Sequence, residues 1–232
     1  MPRRALSILL TLIGSTLAVG TDHGLAQTVP SPYRFVDTRH EIGVFGGANF
    51  FIAEGQFGIG PKPGPMGGLR YAIALGGPFS IEAVGSYMNS TRDVLDPGEE
   101  GELTKVGEAD VQLLILEGRL RFSLLGRRTW HRISPYFLVG GGATFELAGQ
   151  QPADLLVLPA DRYNFGNSFS GVMGAGTQWH LSDRVLIRTD LTIQLWQQDI
   201  PAGYQVRDLL VAAPENEWIQ AWGLTFGASY LL

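Results

Sequence analysis

Residues Val185–Trp196, VLIRTDLTIQLW, constrain this chain more than any other stretch. Val185, Ile187, Thr189, Leu191, Ile193 and Leu195 share one side of a period-two pattern; Leu186, Arg188, Asp190, Thr192, Gln194 and Trp196 share the other. Such alternation predicts a β-strand, because successive side chains leave the pleat on opposite faces. One face is oily throughout, while the other carries a cation and an anion two residues apart. A run of about a dozen residues is long for a globular strand, but it suits the ~9–11 tilted residues that cross a bilayer's hydrocarbon. If the pattern recurs, the oily face meets lipid and the charged face points inward. That is a membrane β-barrel.

It does recur. From His40 to Ala53, Ile42, Val44, Ala48, Phe50 and Ile52 oppose Glu41, Gly43, Phe45, Gly47 and Asn49. A glycine- and proline-rich loop through Pro65 follows. Leu69, Tyr71, Ile73 and Leu75 then oppose Arg70, Ala72 and Ala74, and Gly76-Gly77-Pro78 makes a tight turn. Phe79, Ile81, Ala83, Gly85 and Tyr87 oppose Ser80, Glu82, Val84, Ser86 and Met88. Arg92–Gly107 reads as a polar, acidic loop. The fourth strand sets Leu114, Leu116, Gly118, Leu120, Phe122 and Leu124 against Glu117, Arg119, Arg121 and Ser123; its first part is apolar on both faces. After a basic turn, Gly126–Arg132, Phe137, Val139, Gly141, Ala143 and Phe145 face out while Tyr136, Leu138, Gly140, Gly142, Thr144 and Glu146 face in. Gly149–Arg162 is a third long loop, oily enough at Leu155–Leu158 to hold a short element. Strand six sets Phe169, Met173 and Trp179 against Ser170, Val172, Gln178 and His180; Leu181–Arg184 turns into strand seven. Ile200–Glu217 is a fourth long loop. The last strand places Trp222, Leu224, Phe226, Ala228, Tyr230 and Leu232 outward.

Eight strands with alternating long and short connections fit an antiparallel up-and-down transmembrane barrel, with short periplasmic turns and long external loops. Outward aromatics support it. Phe79, Phe122, Phe137, Trp179 and Tyr230 lie near the short turns, and Phe50, Tyr87, Phe145, Phe169 and Trp222 near the long loops. Two belts suit two membrane–water interfaces.

Composition narrows the partners. A net charge of −5, with no basic stripe, argues against a nucleic-acid binder. The absence of cysteine excludes disulfides and a lipid-modified cysteine anchor. Arg3 and Arg4, the apolar Ala5–Gly20 and the small residues Gly24-Leu25-Ala26 read as a secretory signal cleaved after Ala26. The expected organisation is signal peptide 1–26, periplasmic leader 27–39 and barrel 40–232, exported by the general secretory route. An uncleaved anchor is the alternative, for which the apolar core is short.

With that strand pattern and the closing strand Trp222–Leu232, residues Tyr33–Leu232 resemble the eight-stranded outer-membrane barrels of the OmpA/OmpX type. The resemblance implies the outer membrane of a Gram-negative-type bacterium and contact with lipid and lipopolysaccharide. It also implies insertion by machinery that reads the last strand. A monomer is expected, and, since the chain stops at its last strand, no peptidoglycan-binding domain is expected after the barrel. Such strands usually end in Phe or Trp; here Tyr230 and Phe226 keep the alternation, but the last residue is Leu232.

The interior of an eight-stranded barrel is just wide enough to be filled by side chains. Arg70, Arg119, Arg121 and Arg188 face Glu41, Glu82, Glu117, Glu146 and Asp190, which reads as a paired polar plug, since buried charges need partners. A gated ion path is the functional alternative. His180-Leu181-Ser182 has the His-x-Ser spacing of lipid A deacylases, but it falls on a short turn, away from the outer leaflet, and reads better as turn chemistry. Asp93, Asp96, Glu99, Glu100 and Glu102 lack the ligand spacing of a calcium loop, and Gly140-Gly141-Gly142 lacks the helix that a phosphate loop requires. No catalytic residue, cofactor or metal site is therefore expected. The expected function is non-enzymatic, a structural or interaction role through the external loops and a possible extracellular protein partner. A small-solute channel, a lipid A-modifying enzyme and a soluble lipocalin-like binder are the alternatives.

Overall fold

The computed structural model describes residues 31–51, 58–98, 103–163, 165–205 and 216–232. The expected signal 1–26, together with Ile52, Ala53, Glu99, Glu100 and Glu102, lies outside them. Eight long strands follow in order: β1 (His40–Phe51), β2 (Gly64–Gly76), β3 (Phe79–Pro97), β4 (Leu103–Ser123), β5 (Ile133–Glu146), β6 (Asn167–His180), β7 (Val185–Asp199) and β8 (Asn216–Leu231). Each pairs antiparallel with its sequence neighbour. β8 returns to β1 in a ladder from Ala221↔Phe51 to Leu231↔Glu41, which closes the sheet into a ring and removes its edges.

Polarity follows the alternation. In β7, Leu186, Arg188, Asp190, Thr192, Gln194 and Trp196 are all buried, whereas Val185 and Leu191 are exposed. The outer surface presents Ile42, Val44, Leu69, Ile81, Leu116, Val139, Met173 and Phe226. Apolar exposure on this scale has no place in water and fits hydrocarbon. Nine of the ten expected belt aromatics are exposed (Phe79, Phe122, Phe137, Trp179 and Tyr230 at one end, Phe50, Tyr87, Phe169 and Trp222 at the other), and Phe145 is half-buried.

Three segments depart from expectation. Arg92–Gly107 is not an open loop: β3 and β4 stay paired to Pro97↔Leu103, so the hairpin projects past the rest of the ring. The inner side of this extension has its own small core. Val94 and Ala109 pack with Val157, which comes from a segment of two 3-10 turns, Pro152–Leu156 and Pro159–Asp161. That segment is the short element expected near Leu155–Leu158. β2 likewise begins at Gly64, inside the expected glycine–proline loop. Finally, the expected leader and basic turn are paired. Tyr33–Phe35 forms a three-residue strand against Arg128–Trp130, making a small flap at the short-turn end.

Candidate functional site

The lumen holds two layers, stacked along the barrel axis. Toward the short turns, inward positions on β1, β2, β3, β4 and β7 bring together Arg70, Arg119, Arg121 and Arg188 with Glu41, Glu82, Glu117 and Asp190. All eight are buried. Arg188 occupies the centre. Its Nη1 donates to Glu82, its Nη2 reaches Glu82 Oε1 at 3.2 Å, and its Nε reaches Asp190 Oδ1 at 3.1 Å. Arg70 Nη1 donates to Asp190 Oδ2 at 2.6 Å, and Arg121 Nη1 to Glu41 Oε2 at 2.9 Å. Arg119 Nε donates to Glu117 Oε2 at 3.0 Å. The Tyr136 hydroxyl donates to Asp190 and accepts from Arg188, while its ring lies 4.7 Å from the Arg188 guanidinium carbon. Gln178 Nε2 donates to Glu41 Oε2 at 3.0 Å.

Four cations meet four anions, so the layer is neutral. Neutrality and dense hydrogen bonding are the conditions under which buried ions persist. Glycines make room for it. A Cβ on Gly176 would lie 2.3 Å from the Tyr136 hydroxyl oxygen, and one on Gly140 would lie 2.9 Å from Arg119 Cγ. The glycine run Gly140–Gly142 thus serves packing against the neighbouring strand, in mid-strand as expected. Toward the short turns, a pit of about 60 Å³, with room for roughly four waters, has Glu41 and Arg121 in its lining.

The layer toward the long loops is of a different kind. Phe45, Met66, Val84, Met88, Val111, Leu113, Ile115 and Trp196 form one buried cluster, continued upward by Ile59, Phe165, Ile200 and Tyr204. It also holds a pair of amides, in which Asn49 Nδ2 donates to Gln194 Oε1 at 3.0 Å. Above it, Arg92 Nη2 spans both oxygens of Asp154 at 2.7 and 2.8 Å and stacks over Tyr163, fastening the 3-10 segment to the hairpin. This accounts for the doubly apolar start of β4. Val111, Leu113 and Ile115 fill the lumen, while Leu116 faces out.

Of the nine charges expected inside, eight are brought together, and Glu146 is not among them. It sits half-buried at the long-loop end of β5, accepting the Phe165 backbone N–H at 3.1 Å, because β5 pairs Glu146 with Leu113 of the apolar layer. Tyr136 and Gln178, read from sequence only as inward residues, prove to be members of the network. Ser182 Oγ accepts the Val185 and Arg184 backbone N–H groups at 3.0 and 3.3 Å, which is turn chemistry, and His180 Nδ1 lies 3.3 Å from the Arg132 carbonyl oxygen. Asp93 is paired rather than merely solvated, 2.7 Å from Lys62 and 2.6 Å from Lys105. Its slight burial works against ionisation, but the hydrogen bonds from Lys105 and Lys62 hold its carboxyl below the usual range. Donating to Asp93 and Glu108 pushes the Lys62 ammonium above the usual lysine range.

No protein-family model matches this sequence, and no curated protein is similar to it. Solved structures are similar. The outer membrane protein OprG from Pseudomonas aeruginosa aligns at a TM-score of 0.51 and 15% identity, over 84% of this chain and 97% of that one. Neisserial surface protein A aligns at 0.49 and 9% identity, over 87% of this chain and 98% of that one. The attachment invasion locus protein Ail of Yersinia pestis aligns at 0.41 and 13% identity, over 84% and 99%. At such identities the likeness to OprG is one of fold, which does not carry function with it.

Proposed function

We propose that this chain, an eight-stranded transmembrane β-barrel of the OmpA/OmpX type, is a plugged, non-enzymatic protein of a bacterial outer membrane that acts through its external loops. In this reading the signal directs general secretory export in a Gram-negative-type cell. The short-turn end is periplasmic, the last strand is read by the insertion machinery, and the barrel works as a monomer among lipid and lipopolysaccharide. The observation that carries the reading is the neutral network of four arginines and four carboxylates across the lumen. A conduit for small solutes needs a continuous water path, and among the described residues buried side chains of the two layers occupy the lumen. The external end offers something to bind with: Leu155, Leu156 and Leu158 are each more than 60% exposed on a segment anchored by the Arg92–Asp154 pair.

Planar-bilayer recording tests this. Wild-type protein is expected to give no stable openings, and large stable openings would replace the plug with a pore. Fractionation with a gel comparing boiled and unboiled samples tests the location and the folded barrel together.

A further inference from the structure

The charged residues outside the lumen are sorted by end. At the short-turn end Arg34, Arg39, Arg128, Arg132 and Arg184 are exposed and Arg127 is half-buried, against two exposed carboxylates, Asp37 and Asp183. Among the described residues, none of these six arginines lies within ion-pair distance of a carboxylate. This excess of positive charge sits on a chain whose net charge is −5.

The backbone there is unusual as well. His131 and Arg132 both have positive φ, 49° and 67°, and join Trp130 to its partner Ile133 in a two-residue turn. Hairpin turns of that kind favour Asn-Gly, because residues with larger side chains resist the left-handed region. Here two basic side chains occupy it, and strain held at a surface turn points to a use for those side chains. Beside the turn, Arg34, Phe35, Arg132 and His180 line a cleft of about 390 Å³ between the flap and the β6–β7 turn, with Asp37 and Asp183 also in its lining. On the flap Tyr33, Phe35 and Trp130 are about half exposed, and Phe35 lies under the Arg127 guanidinium at 4.9 Å. Exposed aromatics interleaved with arginines suit one environment, the headgroup zone of a bilayer, where rings sit at the interface and guanidinium groups pair with phosphate.

We propose that the flap and the His131-Arg132 turn form a binding surface for anionic phospholipid headgroups of the leaflet at the short-turn end, with Arg34, Arg128 and Arg132 as the phosphate-pairing residues. The orientation given above supplies only the name of that leaflet, the periplasmic one; the surface itself needs only that the barrel sit in a bilayer.

The test refolds the whole chain without its signal into nanodiscs of phosphatidylcholine containing a minority of phosphatidylglycerol. Lipid retained after mild detergent extraction is then identified by native mass spectrometry. Wild-type protein is expected to retain phosphatidylglycerol several-fold above its bulk share, decreasingly so as salt rises. Arg34→Gln/Arg128→Gln/Arg132→Gln is expected to return retention to the bulk share, and Lys62→Gln/Lys105→Gln, at the other end, to leave it unchanged. Mobility of unboiled samples checks folding; should the triple variant not fold, Arg34→Gln and Arg128→Gln singly are expected to lower retention by up to about fivefold each. Three results would overturn the proposal: bulk-like retention by wild type, unchanged retention in the arginine variants, or equal loss in the lysine variant. Displacement by inorganic phosphate at matched ionic strength would reassign the surface to a free anion. Failure of the wild type to insert removes the bilayer reading as well, whereas insertion without enrichment removes this proposal alone.

Discussion

Below Val84 the lumen is packed with eight ionised side chains; above it, Met88, Leu113, Ile115 and Trp196 pack against one another and against two amides. Both halves are buried, but they respond differently to damage. An apolar layer loses contacts in proportion to what is removed and partly collapses around the gap. An ionic layer depends on balance. Removing one guanidinium leaves buried carboxylates one counter-charge short, and the cost falls on the groups left behind.

Arg188→Met tests the balance most severely, because Arg188 serves both Glu82 and Asp190. Urea unfolding in detergent micelles is expected to show a loss of about 3–5 kcal/mol. Adding Glu82→Gln restores neutrality, so the double variant is expected to recover about 1–3 kcal/mol of coupling. Strict additivity would show that the layer behaves as ordinary packing, and the comparison would fail. In the apolar half, Leu113→Ala is expected to cost about 3 kcal/mol by cavity formation, without rescue by any charge-balancing partner. The smallest effect belongs to ions outside both layers. Asp93 has a lowered pKa, so its contribution is present above about 3.8, its unperturbed value, and fades as pH falls through the depressed folded value. Lys62, raised from 10.5, contributes below that pH and loses its contribution only as pH rises through its folded value. Asp93→Asn is therefore expected to cost a few tenths of a kcal/mol at neutral pH and nothing measurable in strong acid, read from the pH dependence of unfolding.

The two halves were also unequally legible in sequence. Where inward residues are charged, as at Arg188 and Asp190, alternation with Ile187 and Leu191 gives strand and face together. Where inward residues are as apolar as outward ones, as at Val111–Leu116, the period vanishes and only register shows that Leu113 fills the lumen while Leu116 meets lipid. Glu146 misled for a related reason: periodicity assigns its face, but only pairing with Leu113 gives its height. The extension of β3 and β4 escaped because its polar residues resemble a loop until the distant 3-10 segment covers Val94 and Ala109. The flap escaped for lack of length, since three-residue strands such as Tyr33–Phe35 carry no period at all. For the candidate site, the inward charges were readable and their pairing was not, because Arg70 finds Asp190 and Arg121 finds Glu41 only across the closed ring.

The seam between β1 and β8 has a consequence for how such a molecule comes into being. Its opening strand, with Ile42 and Val44, waits for Tyr230 and Ala228, nearly two hundred positions later in synthesis, before its hydrogen-bonding groups are satisfied. Until that seam forms, any partial sheet presents two adhesive borders and a half-assembled ionic lining. Closing the ring is therefore a non-local step, and those borders need shielding until it is taken.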